Sequence, residues 1–122
     1  MTDANEQLKA CFDFVITGIK PIPKQRPRFS QGRAFTPAAT RNFEETLAWR
    51  FRQVAKTPLR GAVRAVVSFE TRSRADVDNL AKAVLDAGNR ILYTDDSQIA
   101  TLTVSKTKSD REIIRIFLEE IS

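Results

Sequence analysis

Two pairs of aspartates bracket one helix-length stretch of this chain, and strand-like alternation lies on either side of them. Val63, Ala65, Val67 and Phe69 alternate with Arg64, Val66 and Ser68, which is the period of a strand with one apolar face. The polar run Thr71-Arg72-Ser73-Arg74 then leads to Asp76 and Asp78. Over about residues 77–91, Leu80, Ala81, Val84, Gly88, Ile91 and Leu92 gather on one side at ~100° per residue, which predicts a helix packed on a sheet. Asp95-Asp96 follow, and a further strand begins near Gln98. Roughly fifteen straight helical residues hold the two pairs over ~20 Å apart. The pairs therefore meet only if residues 92–96 double back, or if one pair comes from a second subunit.

The remaining periodicities complete the architecture. Phe12, Phe14 and Ile16 alternate with Asp13, Val15 and Thr17, a strand ending at Gly18. Arg28-Phe29-Ser30 and Arg33-Ala34-Phe35, joined by a turn, predict a short hairpin. Thr36-Pro37 starts a helix over roughly residues 37–56, with threonine as its cap and Phe43, Leu47, Phe51 and Val54 as its apolar stripe. Trp49 falls off that stripe, at a subunit contact or against a base. Gln98–Ser105 and Glu112–Ile121 are expected to form an antiparallel hairpin across residues 106–110. The order β-(ββ)-α-β-α-β-β predicts an α/β (α+β two-layer) domain: one mixed sheet with both main helices on one face. A chain of 122 residues suits one domain over residues 1–122, with residues 1–10 frayed.

Charge then bounds the partner. The net charge is +5, and residues 20–41 carry six cations (Lys20, Lys24, Arg26, Arg28, Arg33 and Arg41) with no acid. Pro21, Pro23 and Pro27 stiffen this segment and hold its cations in an extended array. Such a block is either a footprint for phosphates or a solvated loop. A basic protein that also concentrates carboxylates points to a cation lying between acid and anion, and so to metal-dependent chemistry on nucleic acid. The chain has no histidine, so a side-chain metal site must rest on carboxylate oxygens, which favour magnesium or manganese over zinc. Cys11 is the single cysteine and is expected to be a half-buried, inert thiol. No stretch is apolar enough to span a membrane and no secretory signal opens the chain, which implies a reducing, cytoplasmic setting.

Each acid also has a structural reading. Asp78, Lys82 and Asp86 recur every four residues, so Lys82 is placed for helical ion pairs with either aspartate. Asp76 and Asp78 suit the cap and first turn of a helix, although capping needs only one of them. Asp95-Asp96 suits a turn.

The motif Asp76-Val77-Asp78-Asn79-Leu80-x-Lys82-x-x-x-Asp86, followed by Asp95-Asp96-Ser97-Gln98-Ile99, resembles the core signature of the RusA family of Holliday junction resolvases. Pro21-x-Pro23-Lys24-x-Arg26-Pro27-Arg28 is similar to the basic amino-terminal segment of many relatives, particularly those borne by phages and prophages. The resemblance implies a RusA-like fold and a homodimer that cuts branched DNA at four-way (Holliday) junctions with Mg2+, for which Mn2+ substitutes. It assigns catalysis to Asp76, Asp78, Asp96 and Lys82. The three aspartates become metal ligands, with Asp95 as a neighbouring acid. It further implies that dimerisation and chain reversal gather the acids. Charge assigns DNA contacts to Lys24, Arg26, Arg28, Arg33 and Arg74. Phe29 or Phe35 is a candidate wedge at the branch point, or a hairpin residue. Two other classes fit the same features: a branched-DNA-binding protein without catalysis, and a metal-dependent nuclease acting on other branched substrates or RNA. A phosphatase is a more distant fit, because no phosphate-cradling glycine loop is present.

Overall fold

The computed structural model describes residues 11–24, 28–30, 33–35 and 37–121. The expected order of elements is present: β1 (Cys11–Thr17), β2 (Arg28–Ser30), β3 (Arg33–Phe35), α1 (Ala38–Val54), β4 (Val63–Thr71), α2 (Val77–Gly88), a 3-10 turn (Asp96–Gln98), β5 (Ile99–Lys108) and β6 (Ile113–Glu120). β2 and β3 form the expected small antiparallel hairpin, with Arg28 opposite Phe35. The other strands make one mixed sheet in the order β1-β6-β4-β5, giving an α+β fold. Thr36, read as a helix cap, and residues 1–10 lie outside the described residues; Pro37 occupies the N-cap of α1.

The expected β5–β6 hairpin does not form. β4 separates the two strands, pairing parallel with β5 and antiparallel with β6. The burial of each strand explains the arrangement. β4 buries Val63, Ala65, Val67 and Phe69 and leaves no residue but Arg64 fully exposed, which suits an interior strand. β5 leaves Thr101, Thr103, Ser105 and Thr107 exposed, which suits an edge. Parallel pairing of β4 and β5 requires a crossover, and α2 is that crossover. The loop after β5 is then anchored over the end of β4. The Ser109 N–H donates to the Thr71 carbonyl at 3.1 Å, the Thr71 hydroxyl donates to Glu112, and Arg72 donates to Asp110.

The helices cover one face of the sheet. Phe43, Leu47 and Phe51 of α1 and Leu80, Ala81 and Val84 of α2 are buried with the inward residues of β4 and β6. Phe14 of β1 meets Phe51 edge-on, with ring centroids 5.4 Å apart. Val54 and Trp49 lie outside this core, at 49% and 60% exposure, so the apolar stripe of α1 ends one turn earlier than expected. Cys11 is exposed rather than half-buried, because β1 is an edge strand whose residues 11, 13, 15 and 17 face outward. No helix among the described residues is long and apolar enough to cross a membrane.

Candidate active site

α2 begins at Asp76, whose extended backbone (φ −63°, ψ 139°) is that of a helix cap but whose carboxylate makes no capping hydrogen bond. Only its carbonyl engages the helix, accepting from the Leu80 N–H at 3.1 Å. Asp78 stands in the first turn, where the positive end of the helix favours a carboxylate. Lys82 and Asp86 follow at successive turns on the same flank. Among the described residues neither Asp76, Asp78 nor Lys82 enters an ion pair, so the expected Asp78–Lys82 or Lys82–Asp86 bridge is absent. Asp76, Asp78 and Lys82 are all exposed to solvent.

The chain doubles back to bring Asp96 to this flank. α2 stops at Gly88, three residues short of the expected Ile91, because a tight turn replaces its last part. The Ile91 and Leu92 N–H groups both donate to the Gly88 carbonyl, at 3.0 and 2.8 Å, while Arg90 takes a left-handed conformation (φ 69°). Gly88 lets Leu92 pack closely, since a Cβ there would stand 2.9 Å from Leu92 Cδ1 and that side chain would have to shift. Tyr93 then bridges to Leu59 and Asn89, fully buried, and its hydroxyl donates to the Leu85 carbonyl. The result is a cleft of about 290 Å3 whose lining includes Asp78, Lys82, Asp86 and Asp96, with Leu85, Leu102 and Val104 as an apolar wall. Asp76, one residue before α2, is outside that lining.

The two acids of the second pair have different surroundings. Asp95 caps the 3-10 turn: its carboxylate accepts from the Ser97 N–H at 2.9 Å, and its own N–H donates to the Gln98 side chain at 2.7 Å. The Ser97 hydrogen bonds hold the Asp95 carboxyl below the usual carboxylate range. This capping is present above ordinary carboxylate pKa values and is lost as acid protonates the group. Gln98 also ties the turn to the Leu59 and Gly61 carbonyls, each at 2.9 Å. Asp96 makes none of these bonds and lines the cleft.

Two residues that periodicity did not single out support the site. Tyr93 underlies the reversal, and burial pushes its phenol well above the ordinary range, with the charges of Asp96 and Asp86 adding to the effect. A tyrosine raised in this way favours folding below its unfolded pKa of ~10 and loses that contribution as pH rises further. Tyr93→Phe should therefore cost about 1 kcal/mol at neutral pH through the lost hydrogen bond. Its stability should also fall less steeply than the parent's above pH ~10, in urea titrations at each pH. A parallel decline of the two proteins would contradict the placement of the phenol. A lone tyrosine in an Asp-rich turn carries no sequence signal of this kind.

Lys24 is the other. Its ammonium lies 2.9 Å from Glu44 and 3.1 Å from Asp86, with each of the three side chains about three-quarters buried. Its N–H donates to the Asn79 carbonyl at 2.9 Å. Partial burial acts to lower the Lys24 pKa, but the hydrogen bonds to Glu44 and Asp86 outweigh it and the net shift is upward. Lys24 thus fastens the proline-rich segment to both helices, and it also occupies Asp86. Lys24→Met should lower unfolding stability by about 1–2 kcal/mol. The loss should be smaller than additive when combined with Glu44→Leu in a double-mutant cycle, and full additivity would refute a direct ion pair.

The other cations expected to meet DNA are distributed unevenly. Arg26 lies outside the described residues, and Arg28 and Arg33 each begin one strand of the β2–β3 hairpin. Arg74 stands in the exposed loop between β4 and α2. Among the described residues no three carboxylate or thiol side chains converge closely enough to hold one metal ion. The donors that share the cleft are nonetheless all carboxylates, the ligand type that suits a hard dication.

Residues 18–119 match the family described as Endodeoxyribonuclease RusA. A 50-residue stretch is 42% identical to Uncharacterized protein YqaN of Bacillus subtilis (strain 168), covering 41% of this chain. The match spans about a third (35%) of that relative's own length.

Proposed function

This chain belongs to the RusA endodeoxyribonuclease family, and from that premise we propose that it hydrolyses the phosphodiester backbone of branched DNA at four-way junctions. The observation that carries this reading is that Asp78, Lys82 and Asp96 line one cleft although Asp96 lies 18 residues beyond Asp78 (78 to 96). A structural ion-pair pattern would have joined Lys82 to its helical neighbours; among the described residues the lysine enters no ion pair, although Asp78, Asp86 and Asp96 line the same cleft.

The roles follow from each residue's surroundings. Asp78 and Asp96, with Asp76 beside them at the helix start, would hold Mg2+ or Mn2+. Such an ion, when bound, supplies Lewis acidity and charge neutralisation that lets an anionic phosphate approach carboxylates. Lys82 would stabilise charge developing on the phosphate or the leaving oxygen. With no histidine in the chain, a carboxylate of the cleft would be one candidate to accept a proton where the reaction needs it. Asp86 is held by Lys24 and would act on the site's shape rather than on the ion. Leu85, Leu102 and Val104 give the cleft one apolar side. Asp95 would keep the turn in place so that Asp96 projects into the cleft.

Paired, symmetric nicks across a junction require two such sites, which a homodimer would supply. The basic segment around Arg26, Arg28 and Arg33 would hold the DNA backbone through charge.

Incubation with a synthetic four-way junction and with linear duplex, with and without magnesium, tests the reading. Symmetric nicks confined to the junction are expected. Cleavage of linear duplex, flaps or RNA instead would move the chain to another nuclease class. A second reading, binding of branched DNA without catalysis, is favoured by one observation: among the described residues no three acids converge on one point. Junction binding with no nick under any metal would establish it.

A further inference from the structure

A second concave surface, of about 700 Å3, adjoins the acidic motif and is lined by Arg72, Ser73, Arg74, Lys106, Lys108 and Ser109, with Asp110 as its one acid. We propose that it binds phosphates of the DNA strand a few nucleotides from the scissile bond, so that one arm of the substrate is held in register with the acid cleft. The proposal rests on the reading of this chain as a nuclease acting on DNA and adds a location and a spacing to it.

The register of the sheet connects the two surfaces. Leu102, Val104, Lys106 and Lys108 are alternate residues of β5, so they share one side of the strand. They stand opposite Ala65, Val67, Phe69 and Thr71 of β4, on the side that the helices cover. Leu102 and Val104 are the wall of the acid cleft. Two residues further on, the same side turns from apolar to cationic. Arg72, Ser73 and Arg74 of the loop between β4 and α2 line the surface, and Arg74 is two residues from the first motif acid. From Val104 to Lys108 the strand advances ~13 Å, equivalent to roughly four nucleotide steps of one DNA strand.

Two of the four cations are engaged within the fold and two are left over. Lys106 donates to the Ser73 and Ala75 carbonyls, so it props the loop and gives the floor a positive charge. Arg72 is paired with Asp110 at 3.1 Å, both of them largely exposed. Arg74 and Lys108 are exposed, and among the described residues neither enters an ion pair or a side-chain hydrogen bond. Inward lysines also protect edge strands from pairing with other chains. Lys106, tied to the loop, suffices for that; Arg74, which is not on the strand, has no such use. A polyanion with regularly spaced charges is the ligand that two free cations beside a carboxylate cleft suit best.

The test is the salt dependence of binding to a four-way junction in chelator, where no strand is cut. Arg74→Gln/Lys108→Gln should lower the slope of log K against log salt by about 1.8, from two phosphate contacts at ~0.9 each. Raising salt from about 50 to about 200 mM should then weaken the parent's binding about 12-fold more than the variant's. Lys108→Gln alone should produce about half the change in slope. A charge-matched control at exposed cations outside this surface, Arg50→Gln/Lys56→Gln, should leave the slope within experimental scatter. A variant slope equal to the parent's, or an equal drop in the control, overturns the proposal. If the parent cuts junctions while the double variant binds unchanged, this surface alone is refuted. If the parent binds no junction at all, the nuclease reading falls together with it.

Discussion

Asp78→Asn should lower the rate of junction cleavage by at least about 10³-fold, a rise in barrier of ~4 kcal/mol, while junction binding persists or tightens. Asp78 is exposed, stands in the first turn of α2 and enters no ion pair among the described residues, so the amide fits the same space and removes only charge. The fold should hardly notice the change, since no hydrogen bond or ion pair of the described residues depends on that carboxylate. Binding should improve because one negative charge leaves the path of a polyanion. Asp76→Asn and Asp96→Asn should behave alike. Asp76 is the informative case of the three: its carboxylate caps nothing, yet it lies outside the cleft lining. Full activity in Asp76→Asn would remove it from the ligand set and leave Asp78 and Asp96 as the pair that matters. Asp86→Asn serves as contrast, because that carboxylate already has Lys24 as a partner and should affect stability more than turnover. Rates measured under single-turnover conditions, beside binding in chelator, separate these outcomes.

The second large effect is the loss of cleavage on chelation. EDTA should abolish nicking of the junction, magnesium or manganese should restore it, and calcium should not. The donor set of the cleft is carboxylate only, and the chain has no histidine, which excludes the usual zinc ligation in this chain. Calcium shares the preference for oxygen but takes more ligands at longer, more flexible distances, and so positions a phosphate less strictly. Binding should survive chelation, since the side chains proposed to hold the phosphate backbone are cations and not the carboxylates that would hold the ion. Nicking at full rate in chelator would end the metal hypothesis, and restoration by calcium as readily as by magnesium would end the argument from ion size.

Much of the secondary structure was readable from periodicity. The strands at Cys11–Thr17 and Val63–Thr71 and the main part of each helix coincide with their apolar patterns, because a period of two or of 3.6 is a local property of a dozen residues, while the β2–β3 hairpin was read from the turn between its strands. The acidic motif was equally visible, and the family match over residues 18–119 agrees with the resemblance read from it. The end of α2 was less visible. Ile91 and Leu92 continue the helical stripe, yet the chain leaves the helix at Gly88, and Leu92 is buried by folding back against the glycine. An apolar residue in register with a helix face is buried equally well by a turn that returns to that face.

Lys24 and Asp95 illustrate a second kind of ambiguity. A lysine in a basic, proline-rich segment carries the composition of a phosphate contact, but its ammonium is shared between Glu44 and Asp86. Asp95 and Asp96 are chemically identical neighbours, and only the hydrogen bonds to Ser97 and Gln98 distinguish a turn cap from a carboxylate left facing the cleft.

The amino-acid order alone therefore determined which segments become strands and helices, which faces are apolar and which side chains are available for chemistry on an anion. It did not determine that β4 would lie between β5 and β6, nor that residues 89–95 would return Asp96 to the flank of α2. Those outcomes depend on which distant surfaces bury one another best. That comparison sums over the whole folded chain, and no window of sequence contains it.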